Sequence, residues 1–282
     1  MTWSVFLITF LSAVCWSLFD ASRKKVGEKL DPIQTLVVIM SYTAIPVLIW
    51  GLQTNSLSFN SSYLVWGTFG FLVNFWANYS FINSVKKGDL GEVIPILSLI
   101  PAITAVFSFF FLQEVLKQHQ VLGIFVIYLG TGVLIGFLPK NWSRSHWWMI
   151  QAAIAWSLMG VFDKKCLEHA TIQSHFLYQL LGICLIALIA SKKLPRFLWN
   201  VSLFKSYAPW AALGVLSAIG AIVWQLEAIQ VSYLGIFEGV KRGVSMLLSM
   251  LLGVFLFREK VSAKKLLALS IITTGLALLL TK

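Results

Sequence analysis

Residues 16–25 read WSLFDASRKK and residues 156–165 read WSLMGVFDKK: the same Trp-Ser-Leu start and the same closing lysine pair, 140 residues apart. The likeness extends outward in both directions. Leu90-Gly91 is followed by Phe111-Leu112-Gln113-Glu114, and Leu234-Gly235 by Leu256-Phe257-Arg258-Glu259. Gly132 and Gly275 then recur in the segments that follow, so the offset drifts only from 140 to 145. Each match alone is weak, but their common order marks a duplicated chain. Duplicated halves are a common way to build a transport site at the membrane midplane.

Composition agrees with that reading. The 282 residues are 58% hydrophobic and only 12% charged, far from the balance of a soluble domain. A spanning helix takes roughly 20 mainly apolar residues, so the chain has room for about ten and for no separate extramembrane domain. Apolar runs delimited by charges, Pro and Gly predict helices near 3–22, 32–52, 62–85, 89–113, 119–138, 147–165, 173–191, 208–231, 233–257 and 263–281. A five-helix unit crosses the bilayer an odd number of times, so two consecutive copies face opposite ways. The expected fold is therefore an all-α integral membrane protein: ten transmembrane helices in two inverted five-helix repeats, residues 1–140 and 141–282, forming one membrane domain.

The net charge of +11 resides mostly in short connections, where Lys and Arg set topology, so no nucleic-acid partner is expected. The first basic cluster, Arg23, Lys24 and Lys25, follows the first apolar run, which therefore reads as a retained helix and not as a cleaved signal. Connections 1–2, 3–4, 5–6, 7–8 and 9–10 carry the great majority of the cations. The opposite face, with both termini, holds Lys117, Lys164, Lys165 and Lys282. The positive-inside rule then places the termini outside the cytoplasm.

Cys15, Cys166 and Cys184 form no CxxC pair, and His119, His146, His169 and His175 are scattered without an HExxH or a phosphate-cradling Gly loop. Neither enzyme chemistry, a metal nor a cofactor is expected. The informative residues are polar ones inside spans, where a charge costs about 2.5–3.5 kcal/mol and usually faces a cavity or a partner. Asp20 and Glu92 lie near helix ends, and Glu227 sits in the eighth segment beside Trp224 and Gln225. Glu238, Lys241 and Arg242 lie in the ninth, with Arg242 roughly 13 Å into a core about 30 Å thick. Two cations against one carboxylate suit a carboxylate-bearing solute. Arg242, a full turn from Glu238, is the expected partner of that carboxylate, which leaves Lys241 for the solute.

Asn74, Asn78 and Asn83 in the third segment, with Trp76 and Tyr79 among them, are candidates for a cavity wall or for polar links between helices. The mid-helix Trp16, Trp156 and Trp224 are candidate lining residues, whereas Trp3, Trp50, Trp142, Trp147 and Trp148 fit an interfacial belt. Gly235, Gly239 and Gly243, with Ser245, Ser249 and Gly253, read as close-packing rows. Glu114 and Glu259 are expected to cap the helices that follow them. If transport is proton-driven, Glu227 and then Asp20 are the carboxylates expected to carry the coupling.

Taken with Trp16 and Trp156, Glu114 and Glu259, and Gly123 with Gly130-Thr131-Gly132, the chain resembles the EamA-type members of the drug/metabolite transporter superfamily over nearly its whole length. It departs from them in having Ser17 after the first Trp and no Pro in the ninth segment. The resemblance implies a multi-pass carrier of the bacterial inner membrane. Such carriers commonly export amino acids or other small metabolites, through a cavity lined by helices 1, 3, 4, 6, 8 and 9. The expected function is export of a small polar metabolite by alternating access, with a small-molecule substrate and the lipid bilayer as partners. A drug or sugar-derivative carrier and a non-transporting scaffold are the alternatives, and the choice between monomer and homodimer stays open.

Overall fold

The structure is a computed structural model that describes residues 2–88, 93–135, 143–190, 201–257 and 263–281. Glu92, Trp142 and Glu259 lie outside the described residues, as do the side chain of Ser249 and the surroundings of Gly253.

Among the described residues ten α-helices run in chain order: α1 Trp3–Gly27, α2 Pro32–Gln53, α3 Tyr63–Lys87, α4 Ile100–Leu112, α5 Gln118–Ile135, α6 Arg144–Cys166, α7 Ile172–Ala190, α8 Val201–Val231, α9 Leu234–Phe257 and α10 Ala263–Leu280. They correspond one to one with the ten predicted segments, although α8 begins seven residues before its expected start at 208, and no strand occurs among the described residues. Local chemistry sets several of the ends. Asp31 caps α2 by accepting from Gln34 N at 2.9 Å, while the Gln34 side chain accepts from Asp31 N at 3.1 Å and Pro32 opens the first turn. Ser143 and His146 form the equivalent reciprocal cap on α6. Gln113 closes α4 in the left-handed region at φ 56°, which redirects the chain immediately before Glu114.

One element differs from its sequence reading. The fourth segment is not a single α-helix but a 3-10 turn, Ile94–Leu99, that leads into α4. Pro101 has no N–H to return to the preceding turn, and Ile100 N–H bonds to Leu97 O in the tighter register.

The two halves interleave. Helix α1 packs on α8 and α3 on α6, which are equivalent pairs once the repeats are exchanged, while α2 meets α7, α4 meets α9 and α5 meets α10. This is the contact pattern of a two-fold-related pair of repeats. Close approach is greatest between α5 and α10: a Cβ on Gly123 would lie 2.9 Å from Gly275 O, and one on Gly275 2.8 Å from Gly123 O. Only glycine permits that separation. Gly235, Gly239 and Gly243 receive Ala105, Leu279 and Leu276 from α4 and α10, so that row serves packing.

Large apolar side chains cover the outside, among them Leu216 at 72% exposure and Phe110 at 71%. Such exposure would be costly in water and is ordinary in lipid. By length and composition, Trp3–Gly27, Pro32–Gln53, Ile172–Ala190 and Lys205–Val231 qualify individually as membrane spans.

Candidate functional site

A cavity of about 70 Å³ lies between α1, α3, α6, α7, α8 and α9, with Met40 of α2 at one edge. A water needs roughly 10–15 Å³ on this measure, so the space suits a few waters or a small solute. Trp16, Asp20, Asn74, Asn78, Trp156, Glu238, Lys241 and Arg242, all candidates from the sequence, are among its lining residues.

Helix α1 places Trp16, Phe19, Asp20 and Arg23 on one face through their spacing of three and four residues. Arg23 is fully buried. Its guanidinium donates to Asn78 Oδ1 at 2.7 Å and pairs with Asp20. It lies 4.0 Å from the Phe81 ring centroid, 4.4 Å from Phe19 and 5.2 Å from Trp156. Asn78 Nδ2 donates in turn to Asn74 Oδ1 at 2.7 Å, and Gln179 Nε2 of α7 donates to Gly67 O at 3.2 Å. The wall around α1 and α3 is thus a polar network built on one cation inside an aromatic cage to which both halves contribute.

The second-half wall is organised by Gln225. Its Oε1 accepts from Trp16 Nε1 and from Lys241 Nζ, both at 3.0 Å, and its Nε2 faces Asp163 Oδ2 at 3.5 Å. Asp163 Oδ1 lies 2.9 Å from His175 Nε2, and His175 Nδ1 lies 2.9 Å from the Tyr63 hydroxyl. Lys241 pairs with Glu238.

That last contact corrects the expected division of roles on α9. Lys241, not Arg242, is the close partner of Glu238. Gln225 holds the ammonium between α8 and α9, which leaves the Arg242 guanidinium 3.9 Å from Glu238 Oε2 with a more open side chain, 13% exposed against 5%. Among the described residues no hydrogen bond reaches Arg242 Nε or Glu238 Oε2.

Other expectations shift as well. Glu227 and Trp224 are half-buried on α8 outside the cavity lining, because Glu227 is about 200° around the helix from the inward-facing Gln225 and Trp224 about 100°. Asn83 bonds to Tyr79 O and Trp76 packs on Trp148, both outside the cavity lining. Helix α4, an expected wall, packs on α9 instead, and α7 lines the cavity with His175 and Gln179. Arg23, Asp163, His175 and Gln179 were not singled out from the sequence. A signal for two of them was present, since the opening stretches align Arg23 with Asp163, each just before a lysine pair.

Glu114 also acts elsewhere than expected. It does not cap α5, whose first turn bonds Lys117 N to Gln120 Oε1 at 2.9 Å. Instead its buried carboxylate accepts from Leu234 N at 2.7 Å, capping α9 of the other half, and pairs with Lys164, which also donates to Ser232 O at 2.8 Å. Removing the carboxylate with Glu114→Ala is expected to destabilise the protein by roughly 2 kcal/mol, seen as a lower thermal midpoint in detergent. Glu114→Gln, which keeps an acceptor for Leu234, should lose less.

Comparison with known proteins agrees with this architecture. The model of the EamA-like transporter family matches residues 2–136 and again residues 143–281. The chain belongs to the EamA-like transporter family. It is accordingly a multi-pass membrane protein of the drug/metabolite transporter type. A solved structure described only as "Crystal structure of protein" shares 20% identity, covers 98% of this chain and 97% of its own, and superposes with a TM-score of 0.75. At that identity the likeness concerns the fold. No curated protein matches the chain.

Proposed function

We propose that this EamA-family transporter exports a small zwitterionic metabolite of the amino-acid class across the bacterial inner membrane, by alternating access between residues 1–140 and 141–282. One observation carries the substrate class. The cavity holds three cations, Arg23, Lys241 and Arg242, and three carboxylates, Asp20, Asp163 and Glu238. Arg23 with Asp20 and Lys241 with Glu238 form close ion pairs. Arg242 and Asp163 remain as the cation and the carboxylate outside those two pairs, complementary to a solute carboxylate and a solute ammonium.

The interleaved packing supports the mechanism, because every principal helix contact joins one half to the other and must shift when the halves rock. The Glu114 cap spans the same boundary. A sugar derivative would present hydroxyls where this cavity presents opposite charges, and a lipophilic drug would leave those charges unpaired. A non-transporting scaffold has no use for buried charge in the membrane.

Of the two carboxylates expected to carry coupling, Asp20 is tied to fully buried Arg23, and its protonation would leave that cation uncompensated. Glu227 lies outside the cavity lining. Of the two, Asp20 is the one that faces the cavity, and its tie to Arg23 makes it a costly group to protonate.

The test is counterflow in proteoliposomes loaded in turn with unlabelled neutral amino acids, dicarboxylates, sugar phosphates and cationic drugs. Saturable accumulation of labelled neutral amino acids, competed by other zwitterions, is the expected result. Accumulation confined to the drug or sugar-phosphate set would replace this reading with the corresponding alternative.

A further inference from the structure

We propose that the groove between α4 and α5 is a phospholipid site, with one acyl chain lying along it and an anionic headgroup held at Lys117. The site stands apart from the central cavity and does not depend on which solute is moved.

The two helices are consecutive yet barely touch, and the groove left between them measures about 610 Å³. Apart from Glu114 and Tyr128 its lining is apolar, and Val106, Phe109, Phe110, Val121 and Phe125 are each more than half exposed. In a bilayer an apolar face gains nothing from leaving water, since lipid tails are as apolar as leucine. What sets a groove apart is packing: a chain lying in it is touched on several sides, and the many small dispersion contacts add up.

The groove is built into the sequence. In the second half α10 closes on α9, because Leu276 and Leu279 sit against Gly243 and Gly239. Aligning Leu90-Gly91 with Leu234-Gly235 sets Leu99 at the place of Gly243. Leu99 itself lines the groove, so α5 finds no such recess and stands off.

The dimensions select the occupant. On α4 the lining runs from Leu99 to Phe110, roughly 16 Å at about 1.5 Å per residue, against about 15 Å for one leaflet of a core about 30 Å thick. One acyl chain of one leaflet fits that length. A helix from a second copy is about 10 Å wide and needs a face that runs the whole core.

One end of the groove supplies the charge. Glu114, Val115 and Leu116 line it there, and exposed Lys117 follows directly. Glu114 is already compensated by Lys164 and by Leu234 N–H, so this end presents a net positive charge to a phosphate. The groove also backs onto the transport machinery. Gly235 of α9 faces Ala105 and Leu116, and Gly239 faces Ile124, all three being groove residues. A lipid there braces α9, which carries Glu238, Lys241 and Arg242 into the central cavity.

Photoaffinity labelling in nanodiscs decides the site. The probe is phosphatidylglycerol with a diazirine on one acyl chain, present as a minor component in phosphatidylcholine, and labelled peptides are mapped by mass spectrometry. Labels should concentrate on residues 99–110 and 121–128 and be sparse on the exposed apolar faces of α2 and α7. Ala102→Trp and Val121→Trp fill the groove from opposite walls, and each should displace the label. Lys117→Gln should lower groove labelling roughly five-fold, the effect of one juxtamembrane cation on an anionic lipid. Wild-type labels spread evenly over all exposed faces would overturn the proposal without recourse to any variant. Equal groove labelling by a phosphatidylcholine probe would overturn the assignment of the headgroup to Lys117. Efficient disulfide formation between two copies of Val106→Cys, with no lipid label in the groove, would give the groove to a second protomer and refute the lipid site.

Discussion

Replacing Arg23 by alanine is expected to remove folded protein from the membrane, not merely to slow transport. The guanidinium is fully buried, pairs with Asp20, bonds to Asn78 and lies against Phe19, Phe81 and Trp156. Truncation leaves Asp20 charged beside a vacated aromatic cage. Breaking a buried pair in this way costs about 3–5 kcal/mol, a large part of the roughly 5–15 kcal/mol that holds a typical protein folded. Arg23→Lys should rescue only in part, because an ammonium is a single compact charge and cannot bridge Asp20 and Asn78 while stacking on rings. Size-exclusion profiles of fluorescently tagged variants measure both. A monodisperse Arg23→Ala peak at wild-type abundance would contradict the central place given to this cation.

The second large effect separates the neighbouring cations of α9. Lys241→Ala should lower the amount of folded protein, since it strips Glu238 of its close partner in a buried setting. Arg242→Ala leaves the Lys241–Glu238 pair in place and removes the guanidinium whose Nε lacks a hydrogen bond among the described residues. Its abundance should be near wild type and its affinity for a zwitterionic solute lower by roughly 10- to 100-fold, the loss of one charged hydrogen bond of about 1.5–3 kcal/mol. Thermal midpoints and counterflow half-saturation, measured on both variants, decide the assignment. The opposite pattern would restore the division of roles that helix spacing alone suggests.

That reversal shows where sequence reading stops. Helix spacing puts both Lys241 and Arg242 within reach of Glu238, and nothing local ranks them. The choice is made by Gln225, sixteen residues earlier on another helix, whose carbonyl fixes the Lys241 ammonium. Glu114 is a similar case. Its position after α4 suggests a cap for α5, but the left-handed Gln113 turns the chain so that the carboxylate meets Leu234 in the other half.

The fold itself was legible, because apolar length and the Trp-Ser-Leu and Phe-Leu repeats are properties of the chain alone. Eight of the lining residues were legible too: seven are polar or aromatic residues stranded in apolar segments, and Asp20 is a carboxylate still within the first apolar run. Arg23, Asp163 and His175 were not, since each lies close to a helix end, where a charge ordinarily reaches water and signals topology. Only the interleaving of the halves draws those ends into the cavity.

The most direct measurement is the structure of the protein in nanodiscs with a zwitterionic solute selected by counterflow. Density is expected in the central cavity, with the solute carboxylate within hydrogen-bonding distance of Arg242 and its ammonium facing Asp163. Solute bound away from both residues, or a cavity left empty while flux saturates, would contradict it.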